Sequence, residues 1–161
     1  MIRKATLAVF LAAVMFTTAC HKSTSIATPA APIPVDQRIA QYVQILSTAN
    51  LNAANVVKSL NTAGVLTDEQ TAQVAVYQVA IAKATAGMSQ ILDSPAPLYD
   101  KLIQVQNLGL SLVPPANYNT FGVSTNVQFQ ALVTALNACE STIKIIVQMS
   151  TQAQTAAPAS K

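Results

Sequence analysis

The chain has 161 residues, 52% of them hydrophobic and only 9% charged, with two cysteines and no tryptophan. That length fits one domain, and so little charge means that Gln, Asn, Ser and Thr must supply most of the polar surface. The formal charge of +3 falls to +1 without Arg3 and Lys4, leaving 7 basic residues against 6 acidic ones. No basic stripe remains and few aromatics could stack on bases, so nucleic-acid binding is not expected.

The first elements are "MIRK", a positive start, and "ATLAVFLAAVMF", an apolar run too short to span a bilayer comfortably. Small residues follow at 17–19, then Cys20. A charged start, a short apolar core and a small-residue exit form an export signal, rather than a buried first helix.

The stretch Thr17-Thr18-Ala19-Cys20 resembles the lipobox of bacterial lipoprotein precursors. That family has Leu, a small residue, and Gly or Ala before an invariant Cys; Thr17 departs from the usual Leu. The resemblance implies that the Cys20 thiol receives a diacylglyceryl group, that residues 1–19 are removed, and that the new amino group is acylated. Cys20 would then hold the mature protein to the membrane, several acyl chains giving a stable anchor where one would not. The alternative is ordinary secretory cleavage after Ala19, which would release a protein with a free Cys20. His21 stands where an inner-membrane retention Asp often occurs in the family. By the same resemblance, if the envelope is Gram-negative, it points to the outer rather than the inner membrane.

Residues 20–34 are rich in Ser, Thr, Ala and Pro, without helical period, and read as a lipidated Cys followed by a flexible tether. Such a tether extends to about 40 Å.

A helical bundle domain is expected over 35–150. The first helix runs from Val35 to Ala63, with a seam at Ile39, Val43, Leu46, Asn50, Ala53, Val57, Leu60 and Gly64, spaced alternately by four and three. Tyr42, Ile45 and Val56 widen this core face. Asn50 interrupts it, either to fix register or at a kink that meets water. Gly64 suits a C-terminal cap.

The second helix starts at Thr67, where "TDEQ" has the form of a capping box. Its seam is Val74, Tyr77, Ile81, Ala84, Met88 and Ile91. Ala75, Val76, Val79, Ala80 and Ala82 make it apolar almost all round, as for a central helix or one covered on a second side by another subunit.

Ser94 is expected to cap a third helix, with Pro95 in its first turn and a seam at Leu98, Leu102, Val105, Gly109 and Leu112. Pro114 and Pro115 stop it. A loop follows, carrying Tyr118 and Phe121. These two aromatics are candidate partner contacts, or they close the end of the core. A last helix begins near Thr125, with a seam at Phe129, Leu132, Leu136, Cys139, Ile143 and Ile146. Glu140 and Lys144 make an i, i+4 surface pair. Residues 151–161 read as a frayed tail. Helical periods without competing strand alternation predict an all-α, mainly antiparallel four-helix bundle.

The domain contains no histidine, and Cys139 is its one cysteine, on an apolar seam. The acidic residues mostly sit at helix ends, where they favour the helix dipole. There is no Glu-x-x-His pattern, zinc set or Gly-rich phosphate loop. No catalytic residue, metal or cofactor is expected. The expected role is a non-catalytic structural or protein-interaction module, anchored in the cell envelope and either meeting an envelope protein or forming a homo-oligomer. A carrier of a small apolar ligand and an envelope enzyme modulator are the alternatives.

Overall fold

Four helices succeed one another in the computed structural model, which describes residues 32–115 and 127–156. They are α1 (Val35–Thr62), α2 (Asp68–Asp93), α3 (Leu98–Leu110) and α4 (Val127–Ala156). Each packs on the next, and α4 closes back on α1, so the architecture is an all-α bundle. Cys20 and His21 lie outside the described residues, as do Tyr118, Phe121 and the expected helix start near Thr125.

The turn after α1 follows directly from Gly64. Its φ of 68° is a left-handed conformation open to glycine at little cost. There the Val65 amide donates to the Leu60 carbonyl at 2.9 Å, and the Gly64 amide donates to that of Asn61 at 3.0 Å. This pair of bonds is a Schellman motif, and it satisfies carbonyls that the helix end would leave bare. Three residues later Thr67 opens α2 with a complete capping box. The Gln70 amide donates to Thr67 Oγ1 at 3.2 Å, and the Thr67 amide donates to Gln70 Oε1 at 2.9 Å.

The seams of α1 and α4 are buried at every expected position except Gly64, which lies exposed in the turn after α1. On α2, Val74, Tyr77, Ile81, Ala84 and Met88 are buried, with Leu92 rather than Ile91 completing the row. Leu102, Val105, Gly109 and Leu112 enter the core from α3 and just beyond it. Each large aliphatic side chain buried here contributes roughly 1.5–3 kcal/mol relative to exposure.

Four expectations need correction. Ile45 is 52% exposed, because the neighbours of α1 cover only one stripe of it. Leu98 is 43% exposed. Its helix begins there, with Pro97 at the N-cap, instead of at Ser94. Pro95 and Pro97 bias the residues before them away from helical geometry, which delays the start. Ser94 therefore ends α2, its hydroxyl donating to the Ile91 carbonyl at 2.7 Å. Lastly, α4 continues to Ala156, six residues past the expected tail boundary. Gln106 on α3 holds that extension: its Nε2 donates to Thr151 Oγ1 at 3.1 Å, and its Oε1 accepts from Gln154 Nε2 at 2.8 Å.

Neighbouring helices run antiparallel. Asn50 meets Gln78 across α1 and α2, and Lys101 Nζ donates to the Leu92 carbonyl across α2 and α3. At Gly109 α3 packs tightly against α4. A Cβ added there would stand 2.6 Å from Val147 Cγ2 and 3.7 Å from Met88 Cε.

Candidate functional site

Titratable chemistry is sparse on this scaffold. Cys139 is fully buried on α4, and burial pushes its thiol from 9.0 up to about 11, a hydrogen bond with its own backbone opposing the shift. A thiol so placed is held protonated and is a poor nucleophile at neutral pH. Among the described residues, no three His, Cys, Asp or Glu side chains gather where they could hold a metal ion. Glu140 and Lys144 pair at 2.7 Å, with the lysine side chain 74% exposed, so the bond adds little stability.

The surface that stands out follows from unequal helix lengths. With 26 residues, α2 is twice as long as the 13-residue α3. The close approach of Leu108 to Gly87 and of Gly109 to Met88 sets α3 against the C-terminal half of α2. Beyond Ser111 the chain leaves helical geometry ahead of Pro114 and Pro115, yet stays beside α2. A notch of about 490 Å³ opens there, between Gln73, Val76, Tyr77 and Ala80 on one side and Val113 and Pro115 on the other. A second notch of about 300 Å³ faces α4, lined by Tyr77, Leu110, Leu112, Ile143 and Val147, with the Glu140–Lys144 pair on its wall. Tyr77 borders both.

Val76 and Val113 are 72% and 76% exposed, Leu110 is 61% exposed, and Val79, one turn on from Val76, is 53% exposed. Ala72, Ala82 and Ala86 are exposed on the same helix. Solvent-facing aliphatic side chains thus form a row on α2 and continue onto the segment after α3. The sequence marked Val76 and Val79 through the all-round apolar character of α2. It did not mark Leu110 and Val113, whose exposure follows from the early end of α3; the Pro114–Pro115 pair behind them was the signal available.

The polar interior lies between α1 and α2. Asn50 Nδ2 donates to the Gln78 carbonyl at 2.9 Å, which favours the register role over a hydrated kink. Asn50 Oδ1 and Gln78 Nε2 are both buried and have no hydrogen-bond partner among the described residues. A notch of about 320 Å³ adjoins Asn50, lined also by Ser47, Thr85 and Ser89.

No helix among the described residues is long and apolar enough to cross a membrane. The chain matches no protein-family model, no curated protein and no solved structure.

Proposed function

We propose that this chain is a membrane-anchored bacterial envelope lipoprotein whose helical bundle is a non-catalytic protein-interaction module. The observation that carries the interaction reading is the aliphatic row on the outer side of α2, with Val76 at 72% and Val79 at 53% exposure. A helix whose inner seam already fills the core has no folding reason to turn valines outward, and contiguous exposed apolar surface marks contact sites. The lipobox resemblance at 17–20 supports anchoring through Cys20, and the Ser-, Thr- and Pro-rich stretch after it supports a spacer. The burial and raised pKa of Cys139 make it a poor nucleophile, which fits its reading as a core residue.

Placing a photoreactive side chain at Val79 in the intact membrane-bound protein tests the interaction. It is expected to capture a discrete protein species, identified by mass spectrometry, that the same group at exposed Ser141 on α4 does not capture. Capture at Val79 no greater than at Ser141 contradicts the proposal.

A second reading, carriage of a small apolar ligand, is favoured by the notch of about 300 Å³ between Tyr77, Leu110, Ile143 and Val147. That volume lies at the lower end for small-molecule sites. Solvent extraction of the purified protein would release a stoichiometric apolar compound under this reading and none under the first.

A further inference from the structure

We infer that the outer face of α2 pairs with the same face of a second copy of this chain, antiparallel, about a two-fold axis at Val76. This rests on the interaction reading and deepens it by naming the partner.

The first observation is spacing. Ala72, Val76, Val79, Lys83 and Ala86 recur at intervals of four and three, and every one of them is exposed. That is a helix-packing seam in its own right, on the side of α2 away from its core seam. Its small residues would let two helix backbones approach closely. The second observation is charge. Asp68 borders the N-terminal end of this seam; Glu69 beside it and Lys83 within it form no ion pair among the described residues. Glu69 and Lys83 each lie seven residues from Val76, on opposite sides, hence about two turns away and on the same face. An antiparallel partner centred on Val76 sets Val76 against its own copy and brings each Glu69 to the other copy's Lys83. The patch is therefore complementary to itself, as an isologous two-fold contact requires. A parallel pairing in register would instead set lysine against lysine and glutamate against glutamate.

The surroundings fit a second helix. The notch between Val76, Ala80, Val113 and Pro115 runs beside the seam, so a helix laid over Val76 would also cover part of exposed Val113. The contact is centred on one helix, at the small end of specific interfaces, and on its own it makes a weak dimer. Anchoring through Cys20 would confine the copies to one surface and raise their local concentration.

The test uses the full chain in membranes and a short bis-maleimide crosslinker. Val76→Cys is expected to give a covalent dimer well above the wild-type background and above Ser141→Cys, since α4 faces elsewhere. In the Val76→Cys background, Glu69→Lys alone and Lys83→Glu alone should each weaken self-association roughly tenfold, both pairs turning repulsive. Co-expressing these two charge variants restores opposite charges across the axis, so mixed dimers should return. These are exposed positions, and circular dichroism checks that each variant keeps its helices. Val76→Cys crosslinking no better than Ser141→Cys would overturn the inference. So would crosslinking that is indifferent to both charge reversals. Failure here leaves the photocapture at Val79 standing, because that experiment reports contact with any protein.

Discussion

Asn50 on α1 donates through Nδ2 to the main-chain carbonyl of Gln78 on α2 at 2.9 Å, and Gly64 lies midway between the two in the chain. The pair therefore sits at matching heights on the two arms of a helical hairpin whose turn is made by the left-handed glycine. A polar peg at that height ties the two arms together, because Asn50 is buried and its amide would be left without an acceptor if they separated there.

This relationship gives a prediction with a distinctive pH dependence. Asn50→Ala is expected to lower stability by about 1–2 kcal/mol, from the lost bond and the space left behind. Asn50→Asp should cost more at neutral pH, because a buried carboxylate would face the Gln78 carbonyl, acceptor against acceptor. Its folded-state pKa would be raised, so the variant should gain stability as pH falls and the group becomes a donor. Urea melts at pH 7 and pH 4.5 check both. An Asn50→Asp variant more stable at pH 7 than at pH 4.5 relative to wild type would contradict the peg.

Gly109 supplies a second prediction. A methyl group there meets Val147 Cγ2 at 2.6 Å, so Gly109→Ala should push α3 from α4 and destabilise the fold by roughly 1–3 kcal/mol. Combining it with Val147→Ala should recover part of that loss, although Val147→Ala alone is destabilising. A double-mutant cycle in denaturant measures the coupling; additivity of the two changes would show that the helices do not touch there.

Cys139 supplies a third. Its thiol should resist a polar alkylating reagent in the native protein and react once unfolded. Its folded pKa is raised, from 9.0 to about 11, so the folded state holds the proton more tightly than the unfolded state does. That stabilising difference is fully present below pH 9 and is lost as pH rises toward 11. Wild type should therefore lose about 2 kcal/mol more than Cys139→Ala across that window. Chemical melts of the two proteins at pH 8 and pH 10.5 measure this, and parallel curves would refute it. Cys139→Asp should be severely destabilising at neutral pH, since it buries an unpaired charge.

The seams were legible because helical periodicity in a low-charge chain leaves few ways to bury Ile39, Leu46, Ile81 and Leu136 together. The caps at Gly64 and Thr67 were legible because each needs a particular residue at a particular offset. Buried Thr142 and Ser150 were not marked. Their hydroxyls donate to the carbonyls of Ala138 and Ile146, four residues back, at 2.8 and 2.9 Å. Satisfied locally, they pack as small core residues, and a pattern of polar and apolar letters cannot show that. The extension of α4 to Ala156 depends on Gln106, 45 and 48 residues before its partners Thr151 and Gln154, so local sequence could not reveal it. The outer row of α2 was visible as composition; its exposure required knowing that α3 is short.

The anchor is the claim on which cellular location depends, and metabolic labelling with a fatty-acid analogue, followed by detergent phase separation, tests it most directly. The wild-type chain should carry the label and enter the detergent phase, and Cys20→Ser should lose both properties. A wild-type protein that is exported yet unlabelled and stays in the aqueous phase would contradict the lipoprotein account.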